Sequence, residues 1–147
     1  LYQYLCQLHT KRLAILVPGA GNGYEIAAAW DLGFLNIHLL DISSLPINKF
    51  LERNPSFPIE QTFHQDFFEH KGSYDLILEQ TFFCALDPKL RYEYAKKMHE
   101  LLKPGGRLVG VLFDKDFAKE GPPFGGSREE YRGYFEQFFE IDHSMSP

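Results

Sequence analysis

The chain has 147 residues, 44% of them hydrophobic and 16% aromatic, with a formal charge of −5. That length fits one domain, and that much apolar material argues against disorder. Its longest basic groupings are pairs such as Lys11-Arg12 and Lys96-Lys97. A surface that grips nucleic acid phosphates needs more than that, so small molecules are the expected partners and nucleic acid is not. Cys6 and Cys84 are too few and too far apart for a disulfide framework or a zinc site. They read as reduced thiols of a cytoplasmic protein. No apolar stretch is long enough to span a bilayer, so no membrane role is expected.

The elements follow in chain order. Leu1 to Leu8 reads as the end of a helix, with Leu1, Leu5 and Leu8 on one face. Leu13 to Val17 is an almost wholly apolar strand, the pattern of one buried on both sheet faces. It runs into Pro18-Gly19-Ala20-Gly21-Asn22-Gly23-Tyr24-Glu25. A strand that turns through glycines into a helix brings backbone N–H groups and the helix's positive end up to a ligand. Asn22 can cap that helix. Ile26, Ala27, Ala29 and Trp30 form its apolar side, and Gly33 lies just beyond its end.

Asn36 to Leu40 is a second strand, followed by the acid Asp41. A helix from Ser43 or Ser44 runs to about Arg53 and is broken by Asn54-Pro55-Ser56. Ile59 to Phe63 is a third strand, with Gln65-Asp66-Phe67-Phe68 after it, and Tyr74 to Leu78 is a fourth, ending at Glu79. A helix opens at Pro88, runs to about Leu102 and is stopped by Lys103-Pro104-Gly105-Gly106. Arg107 to Phe113 is a fifth strand. A long loop, Asp114 to Gly126, leads to a helix that Ser127 caps with Glu130 at capping-box spacing. Phe138 to Ile141 reads as the start of a sixth strand.

Strands alternating with helices imply right-handed βαβ units and a mostly parallel, twisted sheet with helices on both faces, a three-layer α/β/α Rossmann-like architecture. Such sheets bind ligands beyond the carboxyl ends of their strands, at the switch point beside strand one. Gly19 to Gly23, Asp41, Asp66-Phe67, Glu79-Gln80 and Phe113-Asp114 therefore converge on one crevice.

Two cofactor classes use this layout. A dinucleotide loop needs a third glycine or alanine where this chain has Tyr24, which would crowd a pyrophosphate. The spacing G-x-G-x-G suits a ligand without phosphate, which favours S-adenosylmethionine over NAD. Asp41 can accept both ribose hydroxyl protons, because a carboxylate has two acceptor oxygens; its competing role is to cap the next helix. Asp66 can accept from an adenine amino group with Phe67 beside the ring, or it can form an Asx turn. Glu79 can face the methionine end. Among the remaining residues, His64 and His70 read as ordinary surface or core positions, with no metal site. Arg91 reads as a solvated helix residue or as a contact for an anionic acceptor.

Leu16-Val17-Pro18-Gly19-x-Gly21-x-Gly23-Tyr24-Glu25 resembles the first motif of the thiopurine S-methyltransferase-like family of class I methyltransferases. The likeness continues through Tyr74-Asp75-Leu76-Ile77-Leu78-Glu79-Gln80-Thr81-Phe82-Phe83-Cys84-Ala85-Leu86-Asp87-Pro88, and ends in Gly121-Pro122-Pro123-Phe124. It implies a seven-stranded sheet, S-adenosylmethionine as donor with S-adenosylhomocysteine as product, and a small soft nucleophile as acceptor: a thiol, thiopurine, thiocyanate or halide. Carried over by position, the cofactor residues are Gly19, Gly21, Gly23, Asp41, Asp66, Phe67 and Glu79. Gln80 stands where thiopurine-active members tend to have arginine, and Phe82-Phe83 is more like the thiol and halide methyltransferases. Residues 1–147 then form a single methyltransferase domain, expected to lack the family's N-terminal lid and its final strands, and to act as a monomer.

The expected reaction is an in-line displacement at a sulfonium methyl group. A thiolate or halide needs no catalytic acid or base, and a dry apolar site favours dispersal of its charge. Gln80, Phe82, Phe83, Phe113 and Phe124 are the expected acceptor-side residues, with Phe124 in a mobile cover. The alternatives are an NAD-dependent oxidoreductase and a non-catalytic S-adenosylmethionine-binding module.

Overall fold

A computed structural model describes residues 5–8, 10–19, 23–79, 82–110 and 128–139, with the backbone alone for Phe83, Cys84 and Arg128. Five strands form one sheet: β1 (Ile15–Pro18), β2 (Ile37–Asp41), β3 (Thr62–His64), β4 (Tyr74–Glu79) and β5 (Leu102–Gly110). Their order is β3-β2-β1-β4-β5, and every pairing is parallel. The helices are α1 (Tyr24–Asp31), α2 (Ser44–Arg53), α3 (Phe82–Ala85), α4 (Arg91–Leu101) and α5 (Arg128–Phe135). The expected doubly wound architecture is therefore the observed one.

Alternation along each strand explains why both faces are apolar. Ile15, Val17, Ile37, Leu39, Leu76 and Leu78 join one core, which α1 and α2 cover. Leu16, Leu40 and Ile77 point to the other face and join Tyr94, Met98 and Leu101 of α4 and Tyr131 of α5. Each fully buried Ile, Leu or Phe contributes about 1.5–3 kcal/mol relative to an exposed one.

Several boundaries differ from the sequence expectation. Ile59–Gln61 is a 3-10 turn rather than the start of β3. Pro58 leads it in, Thr62 Oγ1 donates to Ile59 O at 2.7 Å, and Gln61 Nε2 donates to Ile37 O at 2.7 Å. These side-chain bonds hold a turn that hydropathy alone does not reveal. Pro88–Leu90 is likewise a 3-10 turn, capped by Asp87, whose Oδ1 accepts from the Lys89 N–H at 3.0 Å. The expected stop at Lys103-Pro104-Gly105-Gly106 does end α4, but these residues run inside β5 as an irregularity. Tyr74 pairs with Leu102 and Leu76 with Arg107, and Gly105, at φ 81°, absorbs the extra length. Phe138 lies in a turn after α5, its N–H donating to Phe135 O at 3.0 Å, and the rest of the expected sixth strand, Glu140 and Ile141, lies outside the described residues. Gly23, not Asn22, is the residue capping α1, and Asn22 and Ser127 lie outside the described residues.

Arg91 overturns its expected solvated role. It is only 1% exposed, its guanidinium pairs with Glu130 of α5, and its charge lies 5.4 Å from the Tyr131 ring centroid. A desolvated cation needs a fixed partner, so this pair ties α5 to α4. Glu130 is thus recruited across helices. Glu130→Ala is expected to cost about 1–3 kcal/mol in urea denaturation, because it takes an ion-pair partner from a buried guanidinium. The double replacement Arg91→Met with Glu130→Leu is expected to recover most of that loss.

Candidate cofactor site

In a parallel sheet, the carboxyl ends of all strands and the starts of the following helices share one edge. The chain leaves β1 toward β2 and β3, then returns past β1 to β4 and β5. The loops therefore part at the end of β1, which opens the crevice there.

The glycine loop begins at this point. Gly19 has φ 81° and donates its N–H to Leu40 O at 2.7 Å, fastening the loop to the end of β2. Gly23 has φ 72° and leads into α1. Both conformations disfavour a side chain. A Cβ on Gly23 would sit 2.5 Å from Phe50 Cδ1, and one on Gly19 would sit 3.2 Å from Phe82 Cδ2. Phe50 cannot easily retreat, because its ring packs edge-on against Phe57 at 5.0 Å and Phe57 packs on Trp30 at 5.1 Å. Gly21 lies outside the described residues.

Asp41 ends β2, and its Oδ1 accepts the Ser43 N–H at 2.9 Å. The cap of α2 is Ser43, whose Oγ accepts from the Leu45 N–H at 3.4 Å, so capping is not the role of Asp41. Asp66 follows β3. Its Oδ1 accepts the Phe68 N–H at 2.9 Å and caps the 3-10 turn Phe67–Glu69. The Asx-type bond weighed for Asp66 is therefore present, and it uses only one of the two carboxylate oxygens.

Phe67 is 2% exposed, with its ring 5.1 Å from Phe82 and 5.7 Å from Tyr94. Its side chain is core, beneath the crevice rather than open to it. Phe82 is half-buried and touches both Phe67 and the Gly19 position. Glu79, the last residue of β4, is 1% exposed. Gly110 pairs with it, and a Cβ there would lie 2.5 Å from Glu79 O, so the strands close tightly at this end. The backbone of Phe83 lies in α3. Gln80, Phe113 and Phe124 lie outside the described residues.

Two apolar side chains at this edge were not singled out by the sequence: Ile42 directly follows Asp41 and is 70% exposed, and Leu45 in α2 is 58% exposed. Tyr24, at the start of α1, is 64% exposed. An isoleucine next to a strand-ending acid is the signal that could have found the first of these. Among the described residues, no group of three His, Cys, Asp or Glu side chains could hold a metal ion, and no helix is long and apolar enough to cross a membrane.

The family model for thiopurine S-methyltransferase (TPMT) matches residues 1–146. The chain belongs to this family. It is 37% identical over 123 residues to the probable thiol methyltransferase 2 of Arabidopsis thaliana, covering 79% of this chain and 53% of that protein. It is 35% identical over 114 residues to thiocyanate methyltransferase 1 of Brassica oleracea, covering 74% and 50%. The chain thus spans about half the length of these relatives. A solved structure of Burkholderia thailandensis 1,6-didemethyltoxoflavin-N1-methyltransferase, with bound 1,6-didemethyltoxoflavin and S-adenosylhomocysteine, matches with a TM-score of 0.67 at 19% identity. That match covers 86% of this chain and 59% of the other, and the fold is the one they share.

Gly23 in the loop and Gly33 outside it, both at positive φ, give a test of the loop. Gly23→Ala is expected to cost about 2–4 kcal/mol, from backbone strain plus overlap with Phe50. Gly33→Ala, at φ 99° with its nearest neighbour 4.0 Å away, carries the strain alone. It is expected to cost about 1–2 kcal/mol in the same urea titration.

Proposed function

We propose that this chain is the cofactor-binding part of an S-adenosylmethionine-dependent methyltransferase whose acceptor is a small soft nucleophile: a thiol, thiopurine, thiocyanate or halide. The observation that carries this reading is the turn after β1 with glycines at positive φ at Gly19 and Gly23, beside Asp41 and Asp66 at the ends of successive strands. The names of the thiol and thiocyanate methyltransferase relatives support the acceptor class.

A nucleoside-bearing ligand fits these donors and acceptors. Gly19, Gly21 and Gly23 would let it approach the backbone, with Asp41 accepting from ribose hydroxyls and Asp66 from an adenine amino group. Ile42 offers an apolar surface next to Asp41. Phe67 would serve from below, fixing the turn that carries Asp66. Glu79 would face the amino-acid end. The cofactor supplies an electrophilic sulfonium methyl group, and the chain's own task is to hold and align the partners and keep water out. Gln80, Phe82, Phe83, Phe113 and Phe124 remain the proposed acceptor side. No catalytic acid or base is invoked, because a thiolate or halide already carries its electron pair. Two cysteines outside any CxxC motif support a cytoplasmic setting.

The test uses the full-length protein. Calorimetric titration is expected to detect S-adenosylhomocysteine binding and no NAD binding, and the reverse result overturns the reading. A screen of thiols, thiopurines, thiocyanate and iodide, followed by S-adenosylhomocysteine release, is expected to find turnover. Binding with no turnover on any of them would reduce the protein to a cofactor-binding module. Asp41→Asn is expected to weaken S-adenosylhomocysteine roughly 10–100-fold, through loss of charge-assisted hydrogen bonds, with circular dichroism unchanged.

A further inference from the structure

The segment between β3 and β4 holds a buried polar chain that the proposed reaction does not use. His70 is 2% exposed, as is Tyr74. His70 Nδ1 lies 2.9 Å from Gln65 Oε1, and His70 Nε2 lies 2.8 Å from the Tyr74 hydroxyl. The same hydroxyl lies 2.9 Å from His38 Nδ1 on β2.

The proton positions follow from what each atom can do. The Gln65 carboxamide oxygen only accepts, so His70 Nδ1 carries a hydrogen and donates to it. His70 Nε2 is then the acceptor, so the Tyr74 O–H donates to it. The Tyr74 oxygen in turn accepts from the His38 Nδ1–H. Each contact then has one donor and one acceptor, with both imidazoles neutral. Burial lowers the His70 pKa from 6.5, and the charges of His38 and Lys97 on α4 lower it further. Burial also lowers His38, and it pushes Tyr74 up to about 12. A second proton on this chain would set two N–H groups against one hydroxyl hydrogen.

The chain ends at the crevice. Gln65 donates its backbone N–H to Asp41 O at 2.9 Å. His70 donates its own N–H to Phe67 O at 3.1 Å, and Glu69 donates to Asp66 O at 3.0 Å. The turn carrying Asp66 is thus closed by the backbone within and by the Gln65–His70 side-chain bond across its ends. The Gln65 N–H registers that turn against Asp41.

We propose that His70 is a positioning residue: braced on Tyr74, its imidazole holds Gln65 and fixes the Asp66 turn relative to Asp41, so that both carboxylates meet one nucleoside. This inference rests on the proposed cofactor reading. It predicts a pH effect with a definite sign. The positioned state needs neutral His70, so cofactor affinity is full above about pH 6.5 and falls as pH drops through the lowered His70 pKa.

The test measures S-adenosylhomocysteine affinity of the intact protein against pH. His70→Leu and Gln65→Met are each expected to weaken it roughly tenfold at pH 7.5. The cofactor KM should rise, while kcat at saturating cofactor and the acceptor KM stay within about twofold. His70→Asn, whose side-chain N–H can replace Nδ1–H toward Gln65, is expected to restore most of the affinity and to abolish the fall below pH 6.5. Amide hydrogen exchange at Phe68 and Glu69 should quicken in His70→Leu and Gln65→Met, and not in His70→Asn. Should His70→Leu fail to fold, Gln65→Met decides, since Gln65 is only half-buried. Unchanged affinity and unchanged exchange in Gln65→Met overturn the inference, as does a pH limb that persists in His70→Asn. Absence of binding by the unsubstituted protein overturns the cofactor reading itself, and the inference with it.

Discussion

The fold depends on β1 being buried between β2 and β4. Its four residues are all buried, and its two neighbours leave it no solvent edge. A strand in that position must be apolar on both faces, which Ile15, Leu16 and Val17 satisfy. The chain also changes direction across the sheet at β1. The loop after it therefore starts at a place where backbone can face a ligand without a neighbouring crossover covering it.

The same burial shapes the glycine loop from two sides. Phe50 presses on Gly23 from one core and Phe82 on Gly19 from the other. At Gly19 and Gly23 glycine is the residue type that fits against these rings at positive φ, so the packing that stabilises the sheet also places these two residues. Phe82 links the two regions further, because it touches Gly19 on one side and the Phe67–Tyr94 stack on the other.

Polar groups divide the remaining work. Asp41 and Asp66 each accept a local backbone N–H, which orients the carboxylate. Arg91 and Glu130, in the first turns of their helices, dock α5 on α4. The His38–Tyr74–His70–Gln65 chain runs beneath the sheet and ends at the Asp66 turn. Buried polar chains of this kind tolerate only one arrangement of donors and acceptors, which makes them suited to holding a loop at one height.

Local chemistry determined a good deal by itself. Apolar runs of four to six residues with helical segments between them gave the parallel sheet, and the Gly19 to Gly23 motif with the Tyr74 to Pro88 and Gly121 to Phe124 segments gave the family. These signals are legible because strand burial and left-handed backbone restrict residue type at single positions. Tertiary structure decided what depends on partners distant in sequence. Arg91 looked solvated until Glu130, thirty-nine residues away, was brought beside it. Phe67 looked like a ring open to a ligand until Tyr94 and Phe82 closed over it. Ile59–Gln61 looked like strand until side-chain bonds held it as a turn. His70 looked like one of several scattered histidines, since the hydrogen bonds that single it out join residues from two strands and the loop between them. Periodicity and spacing report a residue's own neighbours along the chain, whereas burial and hydrogen-bond partnership are set only when the sheet brings remote segments together.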